Sequence, residues 1–178
     1  TIDTDENGPI KLMSGRDFYS RIVTTPNYIG DNKPKIYLVG KGILFDSGGL
    51  DLKRGMNDMS CDKAGMVIAM TVADYMRGNV VAYCPVTTNF IHDSLITPGD
   101  EINIGKKVVK ITSTDAEGRL ILAEALTLLP AKGNDIVITI ATLTGACPYA
   151  VDTKATAVLS PNDELAQKHV KASELVGE

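Results

Sequence analysis

The sequence predicts an α/β fold, a mostly parallel central sheet with helices on both faces, and three observations carry that expectation. Short apolar runs at 36–39, 80–86 and 136–140 are long enough for strands and too short for helices. They are continuously hydrophobic, as strands buried on both faces are. Longer apolar segments at 63–76 and 120–129 separate them, and strands alternating with helices stack into a covered parallel sheet.

Residues 1–34 are weakly patterned, with turns marked by Gly8-Pro9, Ser14-Gly15, Thr25-Pro26-Asn27 and Gly30-Asp31-Asn32. They read as an irregular lead-in with one short strand or helix. The first strand, Ile36-Tyr37-Leu38-Val39, stops at Gly40-Lys41-Gly42, and Asp46 follows in front of Ser47-Gly48-Gly49. Ligands of parallel sheets sit beyond the carboxyl ends of strands, which is where Lys41 and Asp46 fall. From 63 to 76, Met66, Val67, Ile68, Met70, Val72, Ala73 and Met76 crowd into a helix that Arg77-Gly78 closes. The 80–86 strand comes next, and 87–100, with Asn89, His92, Pro98 and Gly99, reads as a loop.

Segments 102–104 and 108–111 flank Gly105-Lys106 as a small hairpin. The 120–129 helix ends at Pro130 and the 136–140 strand is expected to be buried. Thr142-Leu143-Thr144-Gly145-Ala146 forms a tight loop, 155–159 a fourth strand, and 161–175 a surface helix with Ser160 as N-cap and Pro161 at its first position.

At 178 residues the length suits one domain, and 44% hydrophobic with 22% charged residues is ordinary globular composition. A net charge of -4 gives no electrostatic reason to expect nucleic-acid or anionic-membrane binding. No apolar run approaches the roughly 20 residues that span a bilayer, and Thr1-Ile2-Asp3-Thr4-Asp5-Glu6 has no signal-peptide character, so a cytoplasmic location is expected. Cys61, Cys84 and Cys147 are odd in number and widely spaced, against a disulfide framework or a Cys-x-x-Cys metal site.

The charged residues gather in three places: Lys41 and Asp46; Asp62; and Ser113-Thr114-Asp115-Ala116-Glu117-Gly118-Arg119. Singly, each has a bland explanation. Asp62 precedes a helix and reads as an N-cap, Thr114-x-x-Glu117 fits a capping box, Asp46 suits a turn, and Lys41 and Lys53 suit solvent. Jointly, carboxylates without His or Cys form a hard-ligand set for divalent ions, and several anions placed together without a cation are destabilising. His92 and His169 lack His-x-x-x-His spacing, and no phosphate-loop or Gly-x-Ser-x-Gly pattern is present.

Four blocks, at 39–53, 59–65, 113–122 and 141–146, resemble the leucine aminopeptidases, or cytosol aminopeptidases, of the M17 class of peptidases, and the Thr-Asp-Ala-Glu-Gly-Arg-Leu block is the most specific. The resemblance implies a dinuclear metal-dependent aminopeptidase that hydrolyses the N-terminal peptide bond of peptides, with leucine-type preference. It makes Lys41, Asp46, Asp62, Asp115 and Glu117 the ligands of two divalent ions, Zn or Mn, with Asp46 and Glu117 bridging. Lys53 would stabilise the oxyanion, and Arg119 would hold a bicarbonate or equivalent anion that shuttles the proton. Met59, Thr142, Leu143 and Gly145 fall where the family contacts the first substrate residue.

By the same resemblance, 1–34 is a lead-in and 35–178 a partial catalytic domain carrying the metal-binding core, of the family's catalytic-domain fold. The family's N-terminal domain and the C-terminal part of its catalytic domain are absent, and the full protein would be a homo-hexamer. Two departures stand out: Lys63-Ala64 where the family has Met-Gly, which puts a cation beside Asp62, and Ser113 for a usual Asn. Two other readings remain, a non-catalytic or DNA-associated member that keeps the fold, and a two-metal phosphoesterase.

Overall fold

The computed structural model describes residues 1–15, 20–26 and 33–177. Within the lead-in, Pro9 opens a short helix, α1 (Pro9–Leu12), where its missing N–H costs nothing, and β1 (Arg21–Thr24) follows. The first apolar run becomes β2 (Ile36–Gly40), and after one residue, Lys41, the chain resumes as β3 (Gly42–Asp46). A 3-10 turn, Met59–Lys63, leads into α2 (Ala64–Met76), and β4 (Val80–Asn89) runs for ten residues. The hairpin strands are β5 (Glu101–Ile104) and β6 (Lys107–Lys110), with Gly105 at φ +58 in the turn, followed by a second 3-10 turn, Thr114–Ala116, and α3 (Glu117–Leu128). Strand β7 (Ile136–Ile140) completes the sheet.

Both β2 and β3 run parallel to β4: Ile36, Tyr37 and Leu38 pair with Val80, Val81 and Ala82, while Gly42 and Ile43 pair with Val86 and Thr87, and Asp46 with Asn89 after a register shift. Parallel β7 flanks β2, and β1 is antiparallel to β4. The fold is thus the mostly parallel α/β sheet expected, in the order β1-β4-β2-β7 with β3 beside β4. Side chains alternate along the strands, so Val39, Ile43 and Tyr83 pack with α1 and α3 on one face, and Leu38, Ala82 and Cys84 with Ala69 and Ala73 of α2 on the other.

Five expectations require correction. The stretch after Gly42 is strand rather than loop, because the upper half of β4 offers it a partner, and β4 itself extends to Asn89 into the expected loop. Strand β7 is not buried: Ile136 and Val137 are each 38% exposed, since β7 pairs only with β2 among the described residues. Residues 155–159 form no strand, because β-propensity needs a sheet edge and this segment pairs with none among the described residues. The last helix, α5 (Asp163–Val176), which follows the short α4 (Cys147–Val151), is capped by Asn162 rather than Ser160. Asn162 Oδ1 accepts from Leu165 N at 3.0 Å, and Ser160 Oγ instead accepts from Asn162 N.

The chain divides into two units, Thr1–Leu143 with the sheet and Thr144–Glu178 with α4 and α5. No helix among the described residues is long and apolar enough to cross a membrane.

One buried carboxylate ties the lead-in to the sheet. Glu124, on α3, is 3% exposed and accepts from Ile10 N at 2.7 Å, while its other oxygen has no partner among the described residues. A Cβ on Gly8 would meet that carboxylate at 2.4 Å, so only glycine permits the contact. Burial pushes Glu124 up to about 7, against the Ile10 hydrogen bond and with help from Asp5. A folded-state value above the unfolded one stabilises the fold at low pH, and that stability is lost as pH rises from about 4.5 through 7. Between pH 5 and 8 the chain is expected to lose about 2 to 3 kcal/mol that Glu124→Gln does not lose. Calorimetric melting of both proteins across that range checks it, and parallel curves would refute it.

Candidate metal centre and active site

Lys41 occupies the break between β2 and β3, and its backbone is held from two sides: its N–H donates to Ile140 O at 2.9 Å and its carbonyl accepts from Met66 N at 2.9 Å. That backbone packing explains the flanking glycines. A Cβ on Gly40 would lie 2.4 Å from Gly65 O, and one on Gly42 2.6 Å from Pro85 O. Gly118 plays the same part for the side chain, since a Cβ there would lie 2.7 Å from Lys41 Nζ.

Three buried carboxylates from three elements come together here: Asp46 at the end of β3, Asp62 in the first 3-10 turn, and Glu117 opening α3. One oxygen of each lies within 4.8 Å of the others. Lys41 Nζ is 2.7 Å from Asp62 Oδ2 and 2.9 Å from Glu117 Oε1, and donates to Thr142 O at 3.1 Å. Thr142 Oγ1 donates to Asp62 Oδ1 at 2.6 Å, and Asp62 Oδ2 has the Lys41 ammonium as its ion-pair partner. Lys53 lies on the other side, 2.9 Å from Asp46 Oδ2 and in contact with Asp115.

A second set of contacts fixes the loop that carries Lys53. Gly48 takes φ +87 in the turn after Asp46, and its N–H donates to Asp46 Oδ1 at 2.9 Å. Asp51 accepts from Ser113 Oγ at 2.6 Å and Thr114 N at 2.8 Å, and Thr114 Oγ1 donates to Gly48 O at 2.6 Å. Loop and 3-10 turn are clamped together, and the Ser113 hydroxyl serves twice, because it also accepts from Asp115 N as the cap of that turn.

These contacts dispose of the capping explanations. Glu117 faces Lys41 rather than the Thr114 N–H, and Asp62 faces Lys41 and Thr142 rather than the start of α2. Lys63 turns away and donates to Leu44 O at 3.1 Å, so its charge is not directed at the cage. Arg119 is exposed and forms no ion pair with the carboxylates. Met59 is half-buried in the Asp62 turn, Leu143 is 43% exposed beside Thr142, and Gly145 belongs to the second unit. The residue that sequence reasoning missed is Asn89, buried at the end of β4, whose Nδ2 donates to Asp46 Oδ1 at 2.8 Å and Thr114 O at 3.0 Å. The signal was present: a polar side chain closing an apolar strand lies at the sheet end where ligands gather.

The electrostatics describe a cage that demands cations. Burial alone would lower the Lys41 ammonium, but Glu117 and Asp62 outweigh it and hold it above its usual value. Lys53 follows the same balance: burial lowers it, and the contacts with Asp115 and Asp46 push it up to about 12. Burial raises Glu117, with Asp46 adding to the effect and Lys41 opposing it. Three buried carboxylates gathered without His or Cys form a hard, oxygen-rich set that fits divalent ions, and the two ammonium groups stand where positive charge is required.

Residues 19–178 match the cytosol aminopeptidase family, catalytic domain. The chain is 45% identical over 152 residues to a probable cytosol aminopeptidase of Syntrophotalea carbinolica, covering 81% of this chain and 30% of that protein. It is 37% identical to leucine aminopeptidase 1 of Arabidopsis thaliana, over 90% of this chain and 33% of the relative. Its structure superposes on the leucine aminopeptidase of Caenorhabditis elegans with a TM-score of 0.85 at 28% identity, covering 96% of this chain and 37% of the other. A bottromycin maturation enzyme in complex with Mn gives 0.76 at 31% identity, covering 97% and 41%. The chain therefore spans about a third of the length of these relatives. With the family's match running from Tyr19 onward through the whole carboxylate cage, this chain belongs to the cytosol aminopeptidase family.

Proposed function

We propose that this chain is the metal-binding part of an aminopeptidase that removes N-terminal residues, leucine-type, from peptides in the cytoplasm. The observation that supports it is the buried cage of Asp46, Asp62 and Glu117 facing Lys41, with Lys53 and Asp115 at its rim. On this reading residues 35–178 carry the metal-binding core of a longer catalytic domain, and the complete protein is a hexamer.

Lys41, Asp46, Asp62, Asp115 and Glu117 would hold two divalent ions, Zn or Mn, with Lys41 acting as the neutral amine once an adjacent ion takes over the positive charge and its proton is released. Such ions, when bound, supply Lewis acidity, a water made acidic enough to ionise near neutral pH, and an anchor for a free α-amine. The chain's own residues do the rest. Lys53 stays protonated through the neutral range and offers a charge-assisted donor to the oxyanion that develops on the scissile carbonyl. Arg119, exposed two residues beyond Glu117, is free to hold a bicarbonate or similar anion that moves the proton. Met59, Thr142 and Leu143 line the approach for the first substrate residue. Thr142, which bonds both Lys41 and Asp62, keeps that approach in register with the cage.

Calorimetric titration of the metal-stripped chain with Mn²⁺ tests the reading. Two sites of unequal affinity are expected, and Asp62→Asn should weaken one by at least about 10-fold while sparing the other, because Asp62 faces only one end of the carboxylate set. Absence of uptake, or equal weakening of both sites, would contradict the assignment.

A further inference from the structure

We infer that Asn89 is a positioning residue that sets the spacing of Asp46 and Glu117, two of the carboxylates that would hold the ions; the inference rests on the metal reading above. Asn89 closes β4, is 2% exposed, and is the register partner of Asp46 across the bulge that ends β3. Its Nδ2 lies 2.8 Å from Asp46 Oδ1, 3.0 Å from Thr114 O and 3.5 Å from Glu117 Oε2. All three neighbours are acceptors, which fixes the amide's orientation. The backbone is held as firmly as the side chain. Asn89 O accepts both Ser47 N, at 3.0 Å, and Ser47 Oγ, at 2.6 Å, so Asp46 is gripped from its own chain neighbour as well.

The division of oxygens gives the arrangement its meaning. Asp46 turns Oδ1 toward Asn89 and Oδ2 toward Lys53; Glu117 turns Oε2 toward Asn89 and Oε1 toward Lys41. Asn89 thus takes the far oxygen of each carboxylate and leaves the near one for a cation. An amide is suited to the task because it donates without bringing a charge: a Lys or Arg there would compete with the ions, and an Asp would repel both carboxylates. Hydrogen bonds to ligating carboxylates orient them, and their loss typically lowers metal affinity about 10- to 100-fold.

The test is Mn²⁺ titration of the metal-stripped chain as wild type, Asn89→Ala, Asn89→Leu, which keeps the volume, and Asn89→Ser, which keeps one donor. Thr87→Val serves as the reference for a structural loss, since Thr87 is buried on the same strand and bonds Ile10 O and Ser20 Oγ, away from the cage. Melting temperatures are read alongside. The Ala and Leu variants are expected to weaken both Mn²⁺ sites by about 10-fold or more, with Ser in between, and Thr87→Val to lower the melting temperature without moving either affinity. Two sites in the wild type with unchanged affinities in the Ala and Leu variants would overturn the positioning role and leave the metal reading standing. No Mn²⁺ uptake by the wild type would overturn both, and equal weakening by Thr87→Val would reduce Asn89 to a structural residue.

Discussion

On the proposed function, Lys53→Ala in the full-length protein is expected to lower kcat on a leucine anilide by about 10²- to 10³-fold without loss of metal, because a donor to a developing oxyanion contributes about that much. The structure shows why the effect should fall on turnover. Lys53 is only partly buried, its side chain 20% exposed, and it reaches the rim of the cage from a loop braced by the Asp51, Ser113 and Thr114 contacts. Its ammonium, pushed up to about 12, is charged throughout the working range, so the loss should be nearly flat with pH from 6 to 9. Lys53→Arg, which keeps the charge but not the point geometry, should recover only part of the rate. Kinetics combined with metal analysis decides the matter. If bound metal falls in step with kcat, then Lys53 organises Asp46 and Asp115 and the oxyanion role is refuted.

Lys41→Met should destabilise the metal-free chain by about 3 to 5 kcal/mol, the usual consequence of leaving buried charge uncompensated. Met reproduces the length of the stem that passes Gly118, so packing is largely kept and the loss isolates the ammonium. Asp62 and Glu117 would then face each other with no cation between them. Burial already raises the Glu117 carboxyl and Lys41 opposes that rise, so without the ammonium the deficit should be largest near pH 8 and shrink toward pH 5 as Glu117 takes up a proton. Mn²⁺ should return part of the missing charge to the variant but bind it more weakly than the wild type, since Lys41 is itself one of the proposed ligands. Denaturant titrations at both pH values, with and without Mn²⁺, measure this. A variant as stable as the wild type at pH 8 without metal would show that the cage does not depend on Lys41.

Which parts of this were legible in the chain follows from the range of the forces involved. The strands 36–39 and 80–86 and the helices at 63–76 and 120–129 announce themselves through local apolar runs, because burial leaves a continuous hydrophobic signature. Strand β3 did not, since Gly42-Ile43-Leu44-Phe45-Asp46 becomes a strand only when the upper half of β4 is there to pair with it. Residues 155–159 show the converse, with strand-forming composition and no edge to join among the described residues. At the site, Asp46, Asp62, Asp115, Glu117 and Lys41 stand out as charges at strand ends and helix starts, and Lys53 as a charge on the loop that follows β3.

By itself, then, the sequence determined the residue types of the cage, the parallel α/β plan and the family, because these depend on local composition and on a linear motif. The tertiary structure alone decided that Asp62 and Glu117 serve Lys41 rather than their helices, that Lys63 turns to Leu44 O, and that Asn89 joins Asp46 to Thr114. Each of those is a choice among hydrogen-bond and charge partners more than fifteen residues apart, such as Asn89 and Asp46 at a separation of 43. Such partners compete on distance and desolvation in three dimensions, quantities that no local pattern in the chain encodes.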